Sequence, residues 1–296
     1  MRPRPKKRIA IALVAIFVPG LLASWVAGGL LCAPSHRRSD PLPAGVRAET
    51  VHIQSSSGSQ LLGWFIPAMD SNAPVVILMH GVRGCRGDMF ERARLLRGEG
   101  YATLLFDFQA HGDSPGKQIT FGYLESRDAQ AALEFIHARL PNAKIGVLGV
   151  SMGGAAALLA DPPLKVDAMI LESVYPDIVH ATEDRIAMRL GPAGKILTPL
   201  LTCQLGLRLG IGVEQLRPID GGRKVTAPKY FIAGTVDRET PLPEAKALFT
   251  AAAEPKEFWA VEGARHENLH TYAKKEYERR VLAFFAKTLR TENEQR

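Results

Sequence analysis

The sequence has 296 residues, which is enough for one large domain or two small ones. Its hydrophobic fraction of 46% and charged fraction of 23% are those of an ordinary globular protein. The net charge of +7 comes from seven basic residues among the first 39, so the remainder is neutral and nothing favours binding to nucleic acid.

Residues 9–33 contain no charged side chain, and this run of 25 is longer than the ~20 residues that a transmembrane helix requires. Five basic residues precede the run and two follow it, which predicts a cytoplasmic N-terminus and an exported remainder. We therefore predict a basic tip and membrane anchor over residues 1–33. The alternative is a secreted protein whose signal peptide is cut near Ala27-Gly28-Gly29, whereas Leu31 before Cys32 disfavours a lipoprotein signal.

Two segments connect the anchor to the rest of the chain. Residues 34–48 are polar and rich in proline, which is typical of a linker. Residues 49–53 and 60–66 then alternate apolar and polar side chains on either side of a Ser-Gly turn, and this pattern predicts an antiparallel hairpin that opens a domain over residues 49–290.

Short continuous apolar runs and segments of helical periodicity alternate along the remainder. The runs, which predict strands buried on both faces, are residues 75–79, 102–106, 144–148, 168–171, 230–233 and 258–261. The helical segments are residues 89–97, 125–140, 155–160, 243–252 and 274–288. With the hairpin, this alternation predicts an α/β fold with a mostly parallel, eight-stranded sheet and helices on both faces.

About 55 residues interrupt the alternation between the fourth and fifth of these runs. A structureless loop of that length is improbable in a compact domain. We therefore predict a helical lid insertion at about residues 174–226, whose leucines pack on the core, line a substrate pocket or contact lipid.

The loop after residues 75–79 begins with His80-Gly81-Val82. Glycine at this point lets the backbone approach a substrate oxygen, which makes the Val82 amide a candidate oxyanion donor. We interpret His80 as a structural residue that holds the loop through a hydrogen bond. The segment from Asp107 to Ser114 is interpreted as a second bracing turn near the site.

The stretch Gly149-Val150-Ser151-Met152-Gly153 lies between a predicted strand and a predicted helix. A serine at such a sharp turn adopts an unusual backbone conformation, and Gly149 and Gly153 remove side chains that would clash. The pattern therefore predicts that Ser151 is a nucleophile and that the Met152 amide is the second oxyanion donor.

A serine nucleophile requires a base and a group that orients the base. His266 follows the last predicted strand in a polar loop and is the candidate base, with His270 as a rival inside the next helical segment. Asp237 ends the preceding strand and is the candidate acid. Glu239 and Glu172 are alternatives, interpreted respectively as a surface carboxylate and as a contact to the lid or to the site.

The chain resembles the α/β-hydrolase superfamily, and within it the membrane-anchored serine hydrolases of the Bem46-like and serine aminopeptidase-like type. The resemblance runs from about residue 49 to the final helix and depends on His80-Gly81, the Asp107 turn, Gly149-x-Ser151-x-Gly153, Asp237 and His266. It implies the catalytic triad Ser151, Asp237 and His266. The loop departs from the Gly-rich lipase form, because Val82-Arg83 follow His80-Gly81.

The expected activity is hydrolysis of a carboxylic ester, thioester or amide on a small-molecule or lipid-like acyl substrate. An acyltransferase, a peptidase and a non-catalytic binding protein of the same fold remain alternatives. No cofactor or metal is expected, nor a nucleic-acid partner, and the sequence leaves the oligomeric state and a Cys85–Cys203 disulfide open.

Overall fold

The computed structural model describes the backbone of residues 5–290 and the side chains of residues 18–290. Eight strands form one sheet in the order β1-β2-β4-β3-β5-β6-β7-β8. Both pairings of β2 are antiparallel and all other pairings are parallel, which confirms the predicted sheet. The strands are β1 (Glu49–Gln54), β2 (Gln60–Ile66), β3 (Val75–Met79), β4 (Ala102–Phe106), β5 (Ile145–Val150), β6 (Ala168–Glu172), β7 (Lys229–Gly234) and β8 (Lys256–Val261).

The described chain also contains helices before, between and after the strands. They are α1 (Pro5–Cys32), α2 (Phe90–Gly98), α3 (Tyr123–Arg139), α4 (Met152–Leu159), α5 (Ile178–Leu190), α6 (Thr198–Thr202), α7 (Gln204–Leu209), α8 (Pro218–Lys224), α9 (Leu242–Ala251), α10 (Leu269–Tyr272) and α11 (Lys274–Leu289). Three 3-10 turns lie at Arg86–Met89, Pro192–Leu197 and Val213–Gln215.

The sheet separates two hydrophobic cores. Along β3, Ile77 packs into the core that includes Ala129 of α3 and Ala155 of α4. Its neighbour Leu78 points to the opposite face, where Phe285 of α11 packs. Because successive strand residues point to opposite faces, a strand between two helical layers is apolar throughout, as the continuous runs in the sequence indicate.

The insertion between β6 and β7 is helical and contains α5, α6, α7 and α8. Ile178, Leu205 and Leu216 form a small core of their own within it. Other apolar side chains of the same segment face outward, including Ile196 and Leu207, which are 81% and 77% exposed. The insertion therefore has an inner apolar face that packs and an outer apolar face that does not.

The predicted anchor coincides largely with α1, which continues to Cys32. No helix among the described residues is both long enough and apolar enough to cross a membrane. The side chains of residues 9–17, which belong to the predicted anchor, lie outside the described residues, as do those of the predicted basic tip that precedes residue 9.

The polar segment after α1 contacts the domain along its length. Ser35 pairs with His111 in an isolated β-bridge, Arg38 lies 3.4 Å from Asp113, and the Gly87 amide donates to Ser39 Oγ at 3.0 Å. Within the described residues the cysteines are free thiols, with Cys32 and Cys85 buried and Cys203 exposed. The Cys85–Cys203 disulfide that the sequence leaves open is therefore absent from the described structure.

Candidate active site

Ser151 lies in the sharp turn between β5 and α4 with φ 50° and ψ −113°, a conformation that costs a non-glycine residue free energy. A side chain on either flanking glycine would collide with the backbone, at a different place in each case. A Cβ on Gly149 would lie 2.5 Å from the Gly154 nitrogen, and one on Gly153 would lie 2.5 Å from the Met79 carbonyl oxygen. The turn therefore presents the serine hydroxyl only because its neighbours have no side chains.

Asp237 and His266 are joined by a hydrogen bond at the carboxyl ends of β7 and β8. His266 Nδ1 donates to Asp237 Oδ2 at 2.8 Å, and the other carboxylate oxygen accepts from the amides of Glu239 and Thr240 at 2.8 and 2.9 Å. Asp237 is buried and both of its carboxylate oxygens accept hydrogen bonds, so its orientation is fixed. With Nδ1 donating, His266 Nε2 is left free to accept a proton.

Ser151 and His266 line the same cavity, which has a volume of about 390 Å³. No hydrogen bond joins the two side chains anywhere in the described structure. A catalytic serine–histidine hydrogen bond is commonly long or misaligned before substrate binds and shortens in the complex. The three predicted triad residues are thus brought to one edge of the sheet, with the acid and the base already paired.

Two of the three rival residues, His270 and Glu172, are bonded to other side chains. His270 is 3% exposed, and its Nε2 bonds to Glu278 at 2.9 Å on the far side of α10. Glu172 is 1% exposed, and its carboxylate accepts from Arg92 and from the Tyr277 hydroxyl. Neither of the two contacts the Asp237–His266 pair.

The Arg92–Glu172–Tyr277 cluster lies directly beneath the nucleophile, because the Ser151 amide donates to the Glu172 carbonyl at 2.7 Å. Arg92 Nη2 lies 2.7 Å from Glu172 Oε2, and its Nε donates to the tyrosine hydroxyl at 2.9 Å. Burial disfavours the charged guanidinium, but the neighbouring Glu172 and Tyr277 raise the Arg92 pKa above its ordinary value. The cluster is therefore an ion pair that supports β6 behind the site.

The candidate oxyanion donors face a common space. Val82 and Met152 both line a cavity with Ser151, and in the described chain neither backbone amide donates a hydrogen bond. The loop that carries Val82 is held by His80, whose Nδ1 donates to the Gly81 carbonyl at 2.7 Å and whose Nε2 accepts from the Phe108 amide at 3.1 Å. Burial lowers the pKa of His80 to about 3, so this ring is neutral.

A second turn stands next to the oxyanion loop, as the Asp107–Ser114 pattern indicates. The Asp107 carboxylate accepts from the Arg86 amide at 2.6 Å and from the Arg86 guanidinium, and the Ser114 hydroxyl donates to the Asp107 carbonyl at 2.7 Å. Burial raises the pKa of Asp107, and the hydrogen bonds from Arg86 and Asp113 oppose that rise. This turn supports the loop and lines neither cavity.

A second cavity of about 300 Å³ opens from Ser151 beneath the insertion, and its lining is mainly apolar. Sequence reasoning missed several of its residues, including Gly28, Leu31 and Cys32 of α1. It also assigned Glu239 to the surface, whereas this side chain is half-buried, lines both cavities and lies 3.2 Å from Arg185 of α5. The recurrence of small residues at every fourth position of α1, Ser24, Gly28 and Cys32, was the signal that could have indicated this wall of the cavity.

The chain is similar to known hydrolases in sequence and in structure. The sequence profile of the serine aminopeptidase S33 family matches residues 70–198. An uncharacterized protein of Mycobacterium tuberculosis, Rv2307c, is 28% identical over 270 residues, 87% of each chain. The lysophosphatidylserine lipase ABHD12 of Rattus norvegicus is 31% identical over 122 residues, 39% of this chain and 30% of the rat protein. The solved structure of the Pyrococcus furiosus esterase Pf2001 matches with a TM-score of 0.70 and 22% identity, over 87% of this chain and 100% of the esterase.

Proposed function

We propose, from the premise that this chain is a serine hydrolase of the α/β-hydrolase superfamily, that it cleaves a carboxylic ester through an acyl-enzyme on Ser151. The observation that carries the proposal is the Asp237–His266 hydrogen bond beside a cavity that also exposes a serine in a strained turn. These are the geometric requirements of nucleophilic acyl transfer.

In this mechanism Ser151 Oγ attacks the ester carbonyl carbon while His266 Nε2 takes the hydroxyl proton. The Met152 and Val82 amides donate to the oxyanion, and such donors contribute ~2.7–4 kcal/mol each. His266 then gives its proton to the departing alcohol oxygen. A water molecule, deprotonated by the same ring, attacks the acyl-enzyme and releases the acid, while Asp237 keeps the imidazole oriented throughout.

The two cavities divide the substrate between them. Because His266 protonates the departing oxygen, the alcohol leaves into the cavity that His266 lines. That cavity is more polar than the other and is lined by Asp88 and Asn268, which suits a hydrophilic group. The acyl part then occupies the mainly apolar cavity on the other side of Ser151. The substrate that fits is a lipid-like ester with an aliphatic acyl chain and a polar head, which the name of the rat relative also supports.

The charges of the apolar cavity favour an ester over an aminoacyl substrate. Among the described residues that line it, the one acidic side chain, Glu239, is paired with an arginine, and four arginines are present: Arg83, Arg185, Arg189 and Arg208. A substrate ammonium group needs an unpaired carboxylate nearby, whereas this edge carries an excess of positive charge. We therefore place ester hydrolysis ahead of aminopeptidase activity.

A fluorophosphonate probe and a series of p-nitrophenyl esters test the proposal. The wild-type protein should be labelled and should hydrolyse the esters, and Ser151→Ala should lose both properties. Labelling that persists in Ser151→Ala would show that the nucleophile is another residue. A folded wild-type protein that is neither labelled nor active would favour the non-catalytic alternative.

We also propose that residues 9–33 tether the protein to a membrane with the catalytic domain on the exported side. The support is the uncharged run between two basic clusters, five residues before it and two after it. A tagged full-length protein should remain in the membrane fraction after washing with alkaline carbonate. Release into the wash would contradict the tether and favour the secreted alternative.

A further inference from the structure

The C-terminal part of α1 is bonded to the insertion above the active site. The Ser24 hydroxyl donates to the Leu200 carbonyl at 2.9 Å, and Gln204 Nε2 donates to the Ser24 carbonyl at 3.1 Å. One turn further along, the Arg208 guanidinium donates to the Trp25 carbonyl and lies 3.8 Å from the centre of its indole ring. Two adjacent residues of α1 therefore contact α6 and two successive turns of α7.

The end of α1 is also bonded to the catalytic loops. Arg83, which directly follows Val82, donates to the carbonyls of Leu30 and Leu31, and the Ile119 amide donates to the Cys32 carbonyl at 2.8 Å. The last carbonyls of a helix have no partner within the helix, and a cation there interacts favourably with the helix dipole. The oxyanion loop therefore holds the end of α1 in a fixed position.

The docked face of α1 is distinct from its outer face. Ser24, Gly28 and Cys32 recur every fourth residue and so lie on one side of the helix, where Gly28 and Cys32 are buried. The outer side carries exposed large apolar side chains, such as Val26 and Leu30 at 59% and 64% exposure. A Cβ on Gly28 would lie 2.2 Å from Gln204 Oε1, so glycine permits the close approach of α1 to α7.

Gly28, Leu31 and Cys32 line the apolar cavity whose floor contains Ser151 and Met152. We infer that α1 forms one wall of the acyl-binding site and that Gly28 determines how long an acyl chain the site accepts. The inference rests on the proposed ester hydrolase function and adds its specificity determinant. The ligand chemistry is that of an unbranched aliphatic chain lying between α1 and the insertion.

The test compares full-length Gly28→Leu and Gly20→Leu proteins in detergent on p-nitrophenyl esters from acetate to dodecanoate. Leucine at position 28 adds bulk between α1 and Gln204, whose Oε1 its Cβ would approach to 2.2 Å, at a point where both residues line the cavity. A Cβ at Gly20 on the same helix meets nothing within 4 Å. Each methylene excluded from an apolar site lowers kcat/KM about fourfold, so two to three methylenes give a loss of about 15- to 60-fold on long esters. The loss should therefore appear as a fall in the ratio of kcat/KM on dodecanoate to kcat/KM on acetate, and Gly20→Leu should keep the wild-type ratio on every ester.

A second variant decides the matter if Gly28→Leu also loses acetate turnover through misfolding. Leu31→Ala removes apolar volume from the same wall, so its preference should move toward longer chains relative to the wild type. A chain-length profile that stays unchanged in Leu31→Ala, or in an acetate-active Gly28→Leu, overturns the inference. In that case Ser151-dependent acetate turnover still upholds the proposed function, whereas its absence from the wild type overturns both.

Discussion

The buried ion pair behind the nucleophile gives a prediction that can be worked out from its contacts. Arg92 and Glu172 have side-chain exposures of 3% and 1%, and Arg92 donates to both carboxylate oxygens. In the variant Arg92→Leu, the carboxylate keeps the Tyr277 hydroxyl as its side-chain partner and remains buried. Removing one member of a buried pair typically costs about 3–5 kcal/mol, because the remaining charge is uncompensated.

That cost is a large part of the 5–15 kcal/mol by which a typical domain is stable. For a domain of this size each kcal/mol corresponds to about 2–4 °C, so the melting temperature should fall by about 6–20 °C. Urea unfolding followed by tryptophan fluorescence measures the same change as a shift of the midpoint. Because the Glu172 carbonyl accepts from the Ser151 amide, ester turnover should fall as well.

The matched control is Arg94→Leu on the same helix. Arg94 also has a glutamate partner, Glu91, but the two side chains are 62% and 51% exposed, and exposed pairs contribute about 0–1 kcal/mol. The double variant Arg92→Leu/Glu172→Gln removes the unpaired charge and should recover much of the lost stability. If Arg92→Leu costs no more than Arg94→Leu, the buried pair is not what stabilises this region.

Three further predictions concern the site and its supports. Asp237→Asn should lower kcat/KM on p-nitrophenyl acetate on the order of 10⁴-fold, because an amide favours the wrong tautomer of the base, and a loss below tenfold would reject Asp237 as the acid. Burial and the neighbouring Asp184 raise the pKa of Glu244 to about 7 from the ordinary 4.5. As the pH rises from about 4.5 to about 7, the carboxyl ionises in the unfolded chain before it ionises in the folded protein, so the free energy of unfolding of the wild type should decrease. Glu244→Gln should flatten that decline in urea midpoints, and equal slopes would contradict the assignment. Gly153→Ala should lower both stability and turnover because its Cβ would lie 2.5 Å from a carbonyl oxygen, whereas Gly98→Ala, with nothing within 4 Å, should leave turnover unchanged and the midpoint equal or higher.

The sheet was predictable from the sequence because its strands have a local signature. β3 and β4 occupy the same residues as the apolar runs that predict them, since strands covered on both faces are apolar at every position. The bounds of α6 and α7 were not predictable, because these short helices are separated by single residues and are held by tertiary contacts rather than by periodicity.

The choice between candidate acids was beyond the sequence for a related reason. Glu172 ends β6, and Asp237 lies in the turn that follows β7. What removes Glu172 from consideration is its contact with Arg92, 80 residues earlier, and with Tyr277, 105 residues later. The contact between α1 and the insertion could not be predicted from the sequence for the same reason. A run without charges does not reveal which of its faces will meet the protein, and only the approach of the Gln204 and Arg208 side chains to Gly28 does so.

The backbone conformation of Ser151 has a consequence for how this protein can be improved. Residues held in such sparsely populated conformations cost about 1–3 kcal/mol, and glycine at the same position would escape most of that cost. Ser151→Gly should therefore be more resistant to unfolding than the native chain while being chemically inert. A search for thermostable variants that scored folding alone would select against the nucleophile, so such a search needs turnover as a second criterion.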